Sequence, residues 1–311
     1  MITSRKSIKR IMNVKEGYDT APYDIVFVGH TAIGKIVPFK GSPHVETGGP
    51  APYAAMAAAR CMKRVALITR LAKNDSHLLE PLKTASIDVY MQPAEATTHI
   101  RIVHPSANPD EREMILINSS GFFKTEEMPQ LEPCLVHLAG MSNQEFTMEF
   151  MVELRRRGFS LSLDMQSFVL QVEDKTGHIH LKDVPEKQEI IAMADIVKLD
   201  VAEAGVLTGS DDLYRAAAMI EEWGCPEAII TRADGVLAHV RGLDYFAPFS
   251  NRSIAGRSGR GDTTIAAYLT QRMSHPVEYA LEFAAAMASI KMETPGPYMG
   301  TMEDVLVRMR K

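Results

Sequence analysis

Residues Ala255–Thr263 read Ala-Gly-Arg-Ser-Gly-Arg-Gly-Asp-Thr, and an alanine-rich stretch with helical character, Asp262–Met273, starts inside this run. Glycines let the backbone turn tightly and point consecutive N–H groups at one place. A helix that begins there adds the positive end of its dipole, so the loop is predicted to bind an anion. A carboxylate beside that anion, Asp262, is unfavourable unless it accepts the proton of an attacking nucleophile. The pattern therefore indicates the general base of a phosphoryl transfer.

Taken alone, the run Gly259-Arg260-Gly261-Asp262 would more often be a tight turn followed by a helix cap, because aspartate is a common N-cap residue. Its setting favours the catalytic interpretation. The loop comes late in a chain in which short apolar runs alternate with helical stretches from Tyr23 onward.

The alternation predicts a parallel sheet with helices on both faces, the α/β class. Buried strands are predicted at Ile25–Val28, Val65–Thr69, Leu135–Leu138, Leu161–Leu163, Ile196–Leu199 and Ala228–Thr231. Helices are predicted at Ala54–Cys61, Glu145–Arg157, Ala202–Leu207, Asp211–Trp223, Asp262–Met273, Val277–Met292 and Met302–Met309.

Two extended segments, residues 33–47 and 97–118, interrupt this rhythm. In the second, Ile100–His104 and Met114–Asn118 flank a polar turn, which is typical of a hairpin. We expect these segments to form a small antiparallel sheet that stands apart from the main one.

Composition excludes several classes of protein. The net charge is −5, so no general attraction to nucleic acid or to an anionic membrane is expected. The three cysteines, Cys61, Cys134 and Cys225, are too scattered for a disulfide framework or a zinc site and suit a reducing cytosol. Residues 1–20 are polar and are expected to be a poorly ordered extension, neither a signal peptide nor an anchor.

Several motifs resemble those of the PfkB/ribokinase family of carbohydrate kinases. The run Gly259–Asp262 resembles the family's Gly-Ala-Gly-Asp motif, and Gly48-Gly49 before a helix resembles its N-terminal Gly-Gly motif. Asp200 and Glu203 take the places of its Asn-x-x-Glu segment. The remaining similarities are a shortened Thr-x-Gly-x-x-Gly nucleotide loop at Thr231–Gly235 and the helix and turn around the adenine at Phe283–Pro297. The resemblance extends from Tyr23 to the C-terminus.

The resemblance implies a ribokinase-like fold whose small sheet is a lid over the substrate, with Mg²⁺ and ATP as cofactors. It implies a catalytic loop of Gly259, Arg260, Gly261 and Asp262. It also implies nucleotide contacts by Asp200, Glu203, Thr231, Gly235 and Ala285, with Glu203 acting through the shell of the magnesium ion. From the residues alone, Glu203 is a polar residue that opens a helix and Thr231–Gly235 is a turn.

Departures from the family pattern concentrate on the acceptor side. Gly34 stands where ribokinase-like members carry an aspartate that grips substrate hydroxyls, and Tyr53 stands where an asparagine closes the Gly-Gly motif. Gly256 replaces an aspartate that often helps to hold a monovalent cation. Asp200 replaces the usual asparagine, and Arg260 the usual alanine. We therefore expect acceptor contacts from Gly34, Gly48, Gly49 and Tyr53, with ribose and fructose disfavoured, and we expect Arg260 to neutralise charge on the transferred phosphoryl group.

Asp164 and Gln166 follow a predicted strand, where α/β folds place ligand contacts. They resemble the Asp-x-Gln segment of a family branch with inositol-kinase-like members, which implies acceptor binding, although a simple turn explains them equally well.

The sequence thus predicts an ATP-dependent kinase for a sugar, a polyol such as an inositol, or a nucleoside. The alternative is a retired kinase that serves as a nucleotide or sugar sensor, which the changes at Gly34 and Tyr53 would favour and Asp262 argues against. A dinucleotide-dependent dehydrogenase would need an early Gly-x-Gly-x-x-Gly that the chain lacks. Pairing of two subunits through the lid is a further expectation, because a small sheet left alone has exposed edges.

Overall fold

A computed structural model describes residues 23–61, 64–106 and 111–310. The predicted extension at residues 1–20 and the centre of the polar turn in the hairpin lie outside the described residues. Within the described residues, no helix combines the length and the apolar character that crossing a bilayer requires. Cys61, Cys134 and Cys225 are all free thiols, as expected.

The main sheet has nine strands, and seven of them are mutually parallel. Its strands are β1 (Ile25–Val28), β4 (Val65–Ala72), β5 (Asp88–Ala94), β8 (Leu135–Leu138), β9 (Ser160–Asp164), β12 (Ile196–Asp200), β13 (Glu227–Thr231), β14 (Gly235–Val240) and β15 (Leu243–Pro248). Their order is β15-β14-β13-β12-β9-β8-β1-β4-β5, with antiparallel pairing for β14 and β15 only.

Helices cover both faces of this sheet, which confirms the predicted α/β class. They are α1 (Pro50–Ala58), α2 (Glu80–Thr84), α3 (Met148–Arg156), α4 (Gln166–Val169), α5 (Lys187–Ala192), α6 (Val201–Thr208), α7 (Leu213–Glu222), α8 (Arg260–Arg272), α9 (Val277–Met292) and α10 (Met302–Met309). Two apolar clusters fill the space between the layers. One joins the sheet to α1, α8 and α9, and the other joins it to α3, α5, α6 and α7.

A second sheet of six strands stands apart from the main one, as expected. Its strands are β2 (Ala32–Val37), β3 (His44–Gly48), β6 (Thr98–Val103), β7 (Glu113–Asn118), β10 (Leu170–Val172) and β11 (His178–Leu181), in the order β10-β11-β7-β6-β2-β3. We call it the small sheet.

The expectation of a purely antiparallel small sheet was wrong, because β2 and β6 pair in parallel. Each of these strands leaves the main layer after one of its parallel strands, β1 or β5, so both enter the small sheet in the same direction. The hairpin of β10 and β11 also belongs to it, although the sequence did not predict it.

Candidate active site

The glycine-rich loop ends at the N-terminus of α8, which lies over the carboxyl ends of β9 and β12. Gly259 is the N-cap residue with φ of +82°, a conformation that favours glycine. Gly256 is pressed against α9, since a Cβ there would lie 2.8 Å from the Lys291 carbonyl oxygen. The N–H groups of Gly261 and Asp262 have no acceptor among the described residues, so both can donate to an anion.

Asp262 occupies the first turn of α8, in the position predicted for the base. It keeps some accessible surface, yet enough protein surrounds it that burial raises the pKa of its carboxyl to about 6. Lys198, Lys291 and Arg112 oppose this rise in pKa, while the nearby Asp164 adds to it. The carboxylate is therefore mostly ionised at neutral pH and a better proton acceptor than an exposed aspartate.

Two buried lysines beside this loop escaped the sequence analysis. The Lys198 Nζ atom, on β12, lies 3.0 Å from the point where a Cβ on Gly261 would stand. Burial opposes the charge of Lys198, but Asp164, Glu203, Asp200 and Asp262 together raise its pKa, so it stays protonated.

The second is Lys291, on α9, which donates to the carbonyl oxygen of Gly256. Its Cε atom lies 3.4 Å from the Cβ position of Gly259, and burial lowers the pKa of its ammonium group to about 8. The signal that could have found both lysines is a lone cation inside an otherwise apolar strand or helix.

Asp164 does not present a free carboxylate to the surface. It is fully buried at the end of β9, and its two oxygens accept from Lys198 Nζ at 3.2 and 3.1 Å. The Gln166 N–H donates to Asp164, and the Gln166 side chain donates to the carbonyl oxygen of Gly140. Both residues thus lie at the site, with Asp164 fixing the position of Lys198.

Asp200 and Glu203 close the start of α6 as a reciprocal capping box. The Glu203 N–H donates to Asp200 Oδ1 at 2.9 Å, and the Asp200 N–H donates to Glu203 Oε2 at 2.7 Å. Burial raises the pKa of Glu203 to about 8. Glu203 therefore lies at the start of a helix, as its residue type predicts, and it forms with Asp200 a pair of acidic side chains near Lys198.

The remaining nucleotide contacts implied by resemblance lie farther inside the protein. The Thr231 hydroxyl donates to the Leu199 carbonyl oxygen across the sheet, and Ala285 is buried in the apolar core. Gly235 opens β14 against Ala247 and Phe246. Of these three residues, Thr231 lies directly beside Asp200, because β12 and β13 pair the two residues in the main sheet.

On the acceptor side, the Gly-Gly motif ends β3 and caps α1, with Gly49 as the N-cap residue. The Tyr53 ring fills the space between Gly48 and Gly259, because a Cβ on either glycine would overlap it at 2.4 or 2.3 Å. Gly34 lies opposite Glu46 in the small sheet. The Gly-Gly motif and the glycine-rich loop before α8 are thus in contact through one aromatic ring.

Arg260 is the first residue of α8, and its guanidinium group lies 5.8 Å from the centre of the Phe249 ring. Its N–H donates to the Arg257 carbonyl oxygen. His30 is buried between Thr98 and Gly121 with both ring nitrogens in hydrogen bonds.

Comparison with known proteins gives a consistent result. The model of the pfkB family carbohydrate kinases matches residues 24–304. A cytidine kinase from Thermococcus kodakarensis is 25% identical over 255 residues, which are 79% of this chain and 87% of that protein.

Among solved structures, a pyrophosphate-dependent kinase in the ribokinase family, complexed with a pyrophosphate analog and myo-inositol, is similar with a TM-score of 0.83. It is 29% identical, and the match covers 91% of this chain and 99% of that one. A pyrophosphate-dependent myo-inositol-1 kinase converted into a myo-inositol-3 kinase has a TM-score of 0.80 at 30% identity, covering 92% and 98%. A ribokinase from Arabidopsis thaliana, at 17% identity and a TM-score of 0.73 over 94% and 100%, shares the fold.

Proposed function

The chain belongs to the pfkB family of carbohydrate kinases, and from that premise we propose that it phosphorylates a hydroxyl of a sugar, a polyol or a nucleoside with Asp262 as the base. Membership makes it a phosphotransferase with a hydroxyl acceptor. The observation that carries the role of Asp262 is its place in the first turn of α8, beside two buried lysines and two N–H groups that have no acceptor among the described residues.

In the proposed reaction, the acceptor oxygen attacks the terminal phosphorus of the donor while Asp262 takes the hydroxyl proton. The new O–P bond forms as the bond between that phosphorus and the leaving phosphate oxygen breaks, and the leaving group carries the electron pair away. The N–H groups of Gly261 and Asp262 would stabilise charge on the transferred group, and Lys198 and Lys291 would neutralise it.

Magnesium fits the oxygen-rich side of this site. Asp200 and Glu203 supply hard oxygens, of which the capping box engages one on each side chain, and a bound cation would favour the ionised form of Glu203 against the rise in its pKa to about 8. No cluster of three metal-binding side chains is present in the described part of the chain, so phosphate oxygens and water would complete the shell of the ion. A bound Mg²⁺ would neutralise charge on the donor phosphates.

Mg-ATP is the donor that the family resemblance suggests. The adenine would then lie between the Thr231–Gly235 loop and the turn that follows α9. The chain's own segment 249–256 occupies that space. This observation favours a second candidate, a donor without a nucleoside.

This segment forms hydrogen bonds with both sides of that space. The Phe249 N–H donates to the Asp234 carbonyl oxygen at 2.9 Å, and the Ser250 N–H donates to Ser289 Oγ at 2.8 Å. The Arg252 N–H donates to Glu293, and the Gly256 N–H donates to Met292 O. The nucleotide loop is itself a tight turn held by an ion pair of Arg232 with Asp234. Similarity to pyrophosphate-dependent kinases supports inorganic pyrophosphate as this second donor.

The test is a matrix of two donors and three acceptors. Mg-ATP and Mg-pyrophosphate are each combined with myo-inositol, ribose and cytidine, and the phosphorylated product is measured with ADP or orthophosphate release. Product with either donor supports the proposal, and the donor that yields product decides between the two candidates. Binding of these compounds with no product from any pair would instead support the sensor.

A further inference from the structure

Glu46 lies directly opposite Gly34 in the small sheet. The antiparallel register of β2 and β3 pairs Gly34 with Glu46, and directly opposed residues point to the same face. A carboxylate that the family carries at position 34 is therefore absent from β2, while the neighbouring strand offers another carboxylate on the same face.

That face is directed at the main sheet. The same cross-strand row continues from Gly34 to Ile100 on β6 and to Leu116 on β7. Ile100 is only 5% exposed, and it packs with Leu116 against Met141, which follows β8 of the main sheet. Glu46 shares the inner side of the small sheet with these residues.

Glu46 also lies among the residues around the catalytic base. It interacts electrostatically with Tyr53 and with Lys291, and both of these residues interact with Asp262. The Tyr53 ring contacts Gly259 of the catalytic loop, and its hydroxyl has no hydrogen-bond partner among the described residues although Tyr53 is only 8% exposed. Among the described residues, Glu46 makes one hydrogen bond, at 3.3 Å to His44, so its second oxygen is available to a ligand.

We propose that Glu46 binds the acceptor, doing from β3 what an aspartate at position 34 does from β2 in related kinases. This inference rests on the proposed function. A carboxylate accepts two hydrogen bonds side by side, so Glu46 would select acceptors that carry two adjacent hydroxyls, such as a cyclitol, a sugar or the ribose of a nucleoside. Tyr53, which interacts electrostatically with both Glu46 and Asp262, would donate its hydroxyl hydrogen to the same group of oxygens.

The first test is Glu46→Gln, which keeps the shape and removes the charge. With the donor fixed, KM is measured for ribose and 2-deoxyribose, for cytidine and 2′-deoxycytidine, and for myo-inositol. We expect the acceptor KM to rise at least about tenfold, the preference for the vicinal diol to fall by a similar factor, and the donor KM to stay within about twofold. Glu113→Gln, an exposed glutamate of β7 in the same sheet, is the matched control and should change none of these.

The second test removes the carboxylate from position 46 on β3 and places one at position 34 on β2. A Cβ on Gly34 would meet its nearest atoms at 3.6 and 3.7 Å, which are ordinary contacts, so Gly34→Asp is sterically tolerated. We expect Gly34→Asp combined with Glu46→Gln to recover at least half of the lost acceptor affinity on a logarithmic scale. A melting temperature for each variant establishes that it is folded.

The possible outcomes separate this inference from the function on which it rests. An active wild-type enzyme together with a Glu46→Gln variant of unchanged acceptor KM would overturn the role of Glu46 alone. Equal rises in donor and acceptor KM would also overturn it, since they would indicate general damage. A wild-type protein that phosphorylates none of the acceptors with either donor would overturn the proposed function and this inference with it.

Discussion

At the scale of single residues, Asp262 is surrounded by charges that come from distant parts of the chain. Lys198 comes from β12, Lys291 from α9, and Arg112 from the segment that precedes β7. Their positive charges hold down a pKa that burial alone would raise further. The balance leaves a carboxylate that is ionised at neutral pH and still basic enough to take a proton.

The first prediction concerns Asp262→Asn. The amide cannot accept the proton of the acceptor hydroxyl, so turnover should fall by about 10²–10⁴-fold. Donor binding should persist, because the loop N–H groups and the lysines remain, and calorimetric titration with the donor checks this. A variant that retains more than about a tenth of wild-type turnover would remove Asp262 from the role of base.

The second prediction concerns pH. Since Asp262 must be ionised to accept a proton, kcat/KM should fall about tenfold per pH unit below the pKa of about 6. If the Lys291 charge assists the transfer, kcat/KM should also fall above its pKa of about 8. Lys291→Met should remove the alkaline limb. It should also move the acidic limb to higher pH, because a cation that lowers the pKa of Asp262 is lost.

A kcat/KM profile for each protein between about pH 5 and pH 10 checks these limbs, which report the ionisations of the free enzyme. Arg156→Met, at an exposed arginine of α3 that pairs with Glu153 three residues earlier, is the control. An acidic limb near the ordinary aspartate value of about 4, in the wild-type protein, would contradict the assignment.

The sequence could predict that the glycine-rich loop precedes a helix with Asp262 in its first turn, because this arrangement follows from a local pattern of glycines and one carboxylate. It could not predict Lys198, Lys291 or Glu46. These residues lie in three separate elements, and each reaches the site only because β12, α9 and β3 are brought together around α8 by the topology. Asp164 was predicted at the site, but its burial against Lys198 depends on the pairing of β9 with β12 and is not visible in its own segment.

At the scale of elements, the small sheet is connected to the main layer by short linkers after β1 and β5 and by the longer segment 119–134 after β7. His30 hydrogen-bonds to Thr98 at the start of β6 and to Gly121 after β7, so it joins three of these crossings. The catalytic loop touches the end of β3 through Tyr53. If the small sheet moves, His30 and its buried hydrogen bonds would be the point around which it moves.

The third prediction is that the small sheet closes over bound substrates. Hydrogen exchange of the amides in residues 33–47 and 97–118 should slow when donor and acceptor analogue are both present, because closure shields exposed strands from water. The amides of α9 serve as the internal control, since its core residues are buried throughout. Protection that is unchanged in both segments would count against a lid.

The strands of the main sheet were the easiest elements to predict. β1 is a continuous apolar run, and β8, β12 and β13 are apolar apart from one or two polar residues each, as a sheet buried on both faces favours. β10 and β11 are short and carry polar residues such as Gln171 and His180, so no repeating pattern of apolar residues distinguishes them from loops. Their place in the sheet comes from pairing with β7, a contact between distant segments.

At the scale of the whole molecule, two core clusters pack against the main sheet, while the small sheet carries exposed apolar side chains and ends in the edge strands β10 and β3. Val45 is 64% exposed and Ile117 is 52% exposed. Both lie on the outer face, because the cross-strand row through Val45 continues to Lys35, Arg101 and Ile115, two residues before Ile117. Exposed apolar residues on a sheet with open edges favour association with another copy.

The last prediction is therefore that the protein is a dimer through the outer face of the small sheet. Light scattering at working concentration should give twice the chain mass of 34.4 kDa. The double variant Val45→Glu and Ile117→Glu should give the mass of one chain, because it places like charges at the contact and removes apolar area. Val152→Glu, at a residue of α3 that is 54% exposed, is the control and should remain dimeric. A wild-type monomer would contradict this prediction. A double variant that stays dimeric would place the contact elsewhere, because new carboxylates that face each other across an apolar patch oppose pairing.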